Sequence, residues 1–209
     1  MLKNLECGIY AITPTYIHKN ELLDAVERTI QSEIKLIQYR FKNAVSPEER
    51  YETAMGMQSI CKENNATLVI NNDHKIADLV GCGLHIGLDI EDTNFLNEFK
   101  NISFIGLSCK NKPEIQKRKD ANIFSYYSFG PLFESKTKQN LTGLIDIFDV
   151  SNKMNKQKLN VAIGGINEIN LRLVKQSKFN MAAICDGIYN DLKKIEVNCQ
   201  KLLEIWNEN

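Results

Sequence analysis

Gln38, Arg40 and Lys42 alternate with Tyr39 and Phe41. On an extended chain successive side chains point to opposite faces, so the three polar groups share one side of a strand over about 13 Å. An amide and two cations within that reach suit a diphosphate, because a guanidinium binds oxygens in pairs and an ammonium adds a point charge. Read blandly, the same stretch is the polar face of an edge strand. Four more apolar runs end in comparable groups: at Asn71, Asn72 and Asp73, at Ser108 and Lys110, at Ser135, Thr137 and Lys138, and at Gly164 and Gly165. The glycine pair would let backbone N–H groups approach a phosphate closely, with the dipole of the next helix adding to the attraction.

Other chemistry-bearing residues read more plainly. His85, inside Leu84-His85-Ile86-Gly87, is expected to be a hydrogen-bonded core histidine, and His18 and His74 carry no role. The cysteines at 7, 61, 82, 109, 185 and 199 show no C-x-x-C and no histidine at metal-ligand spacing. They are expected to be reduced thiols that pack as small apolar groups.

Polar groups that recur at the same end of successive strands need a fold that gathers those ends. Period and breakers predict eight strands: Gly8 to Thr13, Leu36 to Phe41, Thr67 to Asn71, Gly83 to Leu88, Ile102 to Ser108, Ile123 to Phe129, Asn160 to Gly164 and Ala182 to Cys185. Between them Leu22, Leu23, Val26 and Ile30 form one helical stripe. Ser46, Pro47 and Glu49 announce a second helix by N-cap, first-turn proline and capping box. A last helix presents Leu192, Ile195, Cys199, Leu202, Leu203 and Trp206 on one face. Helices between the third and fourth strands and around Pro113 must be short. The alternation predicts an α/β fold, a single (β/α)8 TIM barrel of eight parallel strands over residues 1–209, with function at the strands' carboxyl ends. A doubly wound open sheet is the rival, but the first strand ends in Thr13-Pro14-Thr15 without its G-x-G turn.

Lys and Arg balance Asp and Glu at 26 each, which argues against nucleic acid or an anionic membrane as partner. No stretch approaches the roughly 18 apolar residues of a membrane span, so a cytoplasmic location is expected.

In order and spacing, several stretches together resemble the thiamine-phosphate synthase family, which includes the TenI-like thiazole tautomerases. They are Tyr10-Ala11-Ile12-Thr13-Pro14, Gln38-Tyr39-Arg40-Phe41-Lys42, Val69-Ile70-Asn71-Asn72-Asp73, Gly83-Leu84-His85-Ile86-Gly87, Ile105-Gly106-Leu107-Ser108, Phe129-Gly130-Pro131-Leu132-Phe133, Thr137-Lys138 and Ala162-Ile163-Gly164-Gly165-Ile166. The resemblance implies a compact (β/α)8 barrel that couples hydroxymethylpyrimidine diphosphate to thiazole phosphate with Mg²⁺, releasing pyrophosphate. Its partners would be small phosphorylated heterocycles, and it leaves a homo-oligomer open.

By the same resemblance Gln38, Arg40, Lys42, Asn71 and Thr137 match substrate positions for the pyrimidine diphosphate. Ser108 and Lys138 match positions that hold the same diphosphate, and they are the residues expected to act in catalysis. Gly164 and Gly165, with the backbone near Cys185 and Asp186, match the thiazole-phosphate cradle. The family's two Mg²⁺ aspartates fall, without gaps, on Asn72 and Ile90, and carboxylates lie one residue away at Asp73 and Asp89. Leu88 stands where glutamine is usual, and Lys110 where the tautomerase histidine would be. Three readings follow: the synthase, a thiazole tautomerase, and an idle homologue that binds thiamine phosphates as a regulator.

Overall fold

Short β-branched and aromatic runs become strands that are buried on both faces, as a parallel sheet wrapped in helices requires. The computed structural model of the protein describes residues 8–41, 45–88, 93–134 and 145–208. Its strands are β1 (Ile9–Ile12), β2 (Leu36–Tyr39), β3 (Thr67–Asn71), β4 (Gly83–Ile86), β5 (Ile105–Lys110), β6 (Phe124–Phe129), β7 (Leu159–Ile163) and β8 (Met181–Ile184). Each pairs in parallel with the next, and β8 pairs with β1 to close the barrel. All eight expected strands are present. The largest displacement is at β5, which starts and ends later than expected, and its pairing with β6 carries register shifts at Ile105/Gly106 and Ser108/Lys110.

Among the described residues seven α-helices cover the outside: α1 (Lys19–Gln31), α2 (Pro47–Glu63), α3 (His74–Val80), α4 (Ile147–Lys153), α5 (Leu171–Gln176), α6 (Asp186–Tyr189) and α7 (Ile195–Asn207). The amphipathic stripe of α1 buries Leu22, Ala25, Val26, Thr29 and Ile30. Helix α2 starts as its residues dictate, with Pro47 in the first turn and the Ser46 hydroxyl accepting from Glu49 N at 3.2 Å. Around Pro113 the chain makes only 3₁₀ turns, Pro113–Lys117 and Ala121–Ile123, and the described residues between β4 and β5 include the 3₁₀ turn Asn94–Glu98. Thirteen residues separate Lys110 from Phe124, too few for two loops and a long helix.

The apolar core has two compartments. One lies between sheet and helices, and the other fills the barrel with Tyr10, Ile12, Leu36, Val69, Phe104, Tyr126, Val161, Met181 and Ala183. Advancing one residue per strand, as an eight-stranded barrel of shear 8 does, the pairing registers arrange inward residues in layers of four. Tyr10, Val69, Gly106 and Val161 form one layer, and Gln38, His85, Ser128 and Ala183 lie above it. Ile12, Asn71, Ser108 and Ile163 follow, and Arg40 and Cys185 stand at the rim. Moving toward the carboxyl ends, the interior therefore changes from apolar to polar.

Candidate functional site at the barrel mouth

Alternation along β2 sends Gln38 inward and leaves Arg40 just beyond the strand, half-buried at the rim. The rim is held there by Thr13, whose buried hydroxyl accepts from Arg40 N at 2.9 Å and donates to Arg40 O at 3.3 Å. Thr13 N also donates to Gln38 O at 2.9 Å, so the ends of β1 and β2 are locked to each other. Arg40 lies near Cys185 across the β1 end, and its positive charge opposes the upward push on that thiol. Burial dominates, helped by the Asp186 carboxylate, and holds the Cys185 thiol up at about 12. A thiol so far above its usual value is a poor nucleophile at neutral pH.

The mouth's floor is the layer of Gln38, His85, Ser128 and Ala183. Gln38 and His85 are buried, and burial pushes the His85 imidazole down to about 4, so the ring is neutral at pH 7. His85 Nδ1 sits 2.9 Å from the Tyr126 hydroxyl, with the two rings stacked, which meets the expectation of a hydrogen-bonded core histidine. Ser128 Oγ is buried without a hydrogen-bond partner among the described residues. Above this floor Asn71 and Ser108 are half-buried.

On the far side, the end of β7 turns through Gly164 and Gly165 at φ 102° and 64°. A side chain at Gly165 would place its Cβ 2.2 Å from Glu134 O, and one at Gly164 would fall 2.5 Å from Pro131 Cα. The pair therefore lets the loop after β6 lie directly on the β7 turn, with Leu132 N donating to Ile163 O and Phe133 N to Gly164 O. Asn167 and Asn170 amides hold Gly165 O at 3.3 and 3.0 Å. Next to it, Asp186 opens α6. In this four-residue helix Ile188 N and Tyr189 N both donate to Cys185 O, at 2.9 and 3.0 Å. Burial raises the Tyr16 phenol above its ordinary value, and the charges of Cys185 and Asp186 add to that push.

Sequence reasoning named fourteen site positions. The structure brings Gln38, Arg40, Asn71, Ser108, Gly164, Gly165, Cys185 and Asp186 to the carboxyl ends of their strands. Lys42, Asp89, Thr137 and Lys138 lie outside the described residues. The remaining two, Asn72 and Asp73, follow β3. Asn72 adopts a left-handed φ of 63°, which turns the chain at once into α3. Asp73 caps that helix, accepting from Ile76 N at 3.1 Å, and pairs with Arg50 at 3.8 Å. A carboxylate with those two partners is turned to the helices and is a poor fit to an Mg²⁺ site, which needs oxygen ligands converging on the mouth. No group of three His, Cys, Asp or Glu able to hold a metal occurs among the described residues. Reasoning from sequence missed Tyr10, Tyr126, Ser128 and Thr13. For Tyr10, Tyr126 and Ser128 the inward register in β1 and β6 was the available signal, since they alternate with residues that face the helices.

No helix among the described residues is long and apolar enough to cross a membrane. In comparisons with known proteins, the family model described as thiamine monophosphate synthase matches residues 9–188. The chain is 30% identical over 213 residues to the thiamine-phosphate synthase of Clostridium tetani, covering 99% of each protein. It is 29% identical over 210 residues to that of Prochlorococcus marinus, covering 98% of this chain but 57% of the relative, so it spans little more than half of that protein's length. A solved thiamine phosphate pyrophosphorylase from Pyrococcus furiosus superposes with a TM-score of 0.80 at 20% identity, over 97% of this chain and 96% of the other. That likeness shows the fold, the (β/α)8 barrel described above. With the family model matched from the first residue of β1 to the third residue of α6, the chain belongs to the thiamine monophosphate synthase family.

Proposed function

We propose that this barrel joins a hydroxymethylpyrimidine diphosphate to a thiazole phosphate, giving thiamine phosphate and pyrophosphate. One observation carries the reading: the amide, guanidinium and glycine-turn groups of β2 and β7 face one mouth, in a chain that belongs to this family. The reaction asks little covalent help of a protein. The carbon–oxygen bond to pyrophosphate breaks, its electron pair leaves with the phosphate oxygen, and the thiazole nitrogen supplies the pair for the new carbon–nitrogen bond.

Such chemistry is driven by stabilising the leaving charge and aligning the two rings. Arg40 suits the first task, because its fork can hold two diphosphate oxygens at the rim. The floor of Gln38 and Ser128 with Asn71 and Ser108 above it suits a flat polar heterocycle. The Gly164-Gly165 turn beside the start of α6 suits the second phosphate. Mg²⁺ is expected from the family resemblance, but Asn72 and Asp73 as placed do not supply its carboxylates.

Incubating the protein with both precursors and following pyrophosphate release tests the reading. Thiamine phosphate and pyrophosphate in equal amounts are expected. Proton exchange on the thiazole without coupling would indicate the tautomerase, and tight binding of thiamine phosphate without either reaction would indicate the regulator.

A further inference from the structure

A line of hydrogen bonds crosses the barrel interior beneath the mouth. Gln38 Nε2 donates to the Tyr10 hydroxyl at 2.6 Å. The Tyr10 and Tyr126 hydroxyls are 2.9 Å apart, and Tyr126 reaches His85 Nδ1 at 2.9 Å. All four side chains are buried. Gly106 makes the line possible, because a Cβ there would fall 2.0 Å from the Tyr126 ring.

Each phenol has one proton to give, so the directions of these bonds are coupled. With Gln38 donating to Tyr10, the Tyr10 proton goes to Tyr126 and the Tyr126 proton to His85 Nδ1. That nitrogen must then be the bare acceptor of the neutral ring, with the ring proton on Nε2. If Nδ1 carried the proton, the line would run backwards. Tyr10 would then donate to the Gln38 oxygen, and the amide would stand the other way round. A mixture of the two directions leaves a buried O–H with no acceptor, which is unfavourable.

We propose that His85, Tyr126 and Tyr10 are positioning residues that fix the orientation of the Gln38 amide. The mouth thereby presents a carbonyl oxygen and selects a ring edge bearing an amino group over one bearing an oxo group. The identity of the ring, an aminopyrimidine, rests on the proposed function. The relay itself does not, since it follows from bonds within the protein. The discrimination has a physical basis: an oxo edge set against the Gln38 oxygen leaves two buried acceptors facing each other with no proton between them.

Two measurements on the whole chain test this. The protein has three histidines, and the His85 ring is identified by the signals that a His85→Asn variant loses. Nitrogen-15 NMR at pH 7 is expected to show the Nε2–H form of His85, and an Nδ1–H form overturns the relay. Calorimetry is then run with hydroxymethylpyrimidine diphosphate and its oxo counterpart. Wild type is expected to prefer the amino ring, and Tyr126→Phe to lose at least tenfold of that preference, because Tyr10 then turns its proton to Gln38. Tyr10→Phe, which removes the hydroxyl that Gln38 meets, is expected to lose the preference as well. An unchanged preference in both variants, with only a lower melting temperature, would reduce the line to a structural role and overturn the proposal. If wild type binds neither ring, the functional reading fails and takes the selection with it, while the tautomer still judges the relay.

Discussion

Ser128 shows how a single side chain can be read in energetic terms. Its hydroxyl is buried and unpartnered among the described residues, a state that costs about 1–3 kcal/mol relative to a site that lacks the hydroxyl. Ser128→Ala is therefore expected to raise the unfolding free energy by about 1 kcal/mol in a denaturant titration. A loss of similar size would mean that Oγ has a partner such as a buried water. Much at this scale was legible in the sequence: Gln38 and Arg40 were found by alternation alone, and His85 was placed as a bonded core group. Asp73 was not, because the choice between capping α3 and facing the mouth depends on Asn72 taking a left-handed φ, and residue type permits that conformation without requiring it. Tyr10 and Tyr126 were visible as aromatic strand residues. That their hydroxyls meet needs the barrel's stagger, which brings β1 and β6 together across the interior.

The elements hold the site mainly through their ends. The turn after β7 and the loop after β6 share one contact at Gly164 and Gly165, where no Cβ fits and both φ values are positive. Gly165→Ala is expected to cost about 1–3 kcal/mol of stability, the range for forcing atoms into a packed position. It should also weaken thiazole phosphate binding, because the backbone must move away from Glu134 O. Equal affinity in calorimetry would separate this turn from the phosphate site. Element type and order were readable from the periods of 2 and 3.6. The 3₁₀ turn Asn94–Glu98 after β4 was less so, since the sequence there lacks the proline that marked the turn at Pro113.

At the scale of the whole molecule, a polar layer inside a barrel makes stability depend on pH. His85 is held near 4 in the fold by burial, against about 6.5 when exposed in the unfolded chain. Between those values the unfolded chain binds more protons, so stability is full above pH 6.5 and falls as pH drops toward 4. The loss by pH 4 is expected to be about 3 kcal/mol from this one ring. His85→Asn is expected to flatten that part of the urea-measured profile, and an identical slope in the variant would place the acid sensitivity elsewhere. The closed barrel itself was legible in the sequence, because eight strands alternating with helical stretches, with polar groups at the ends of five apolar runs, fit few other folds. The central claim is that this mouth aligns two phosphorylated rings and releases pyrophosphate. Pyrophosphate release from hydroxymethylpyrimidine diphosphate, measured with and without thiazole phosphate in wild type and Arg40→Ala, tests it most directly. Release that requires both rings in wild type, with kcat/KM lowered by about 10- to 150-fold in the variant, equivalent to about 1.5–3 kcal/mol for a charge-assisted hydrogen bond, is the result predicted. Absence of release in wild type at saturating precursors, or an Arg40→Ala rate equal to it, would contradict the account.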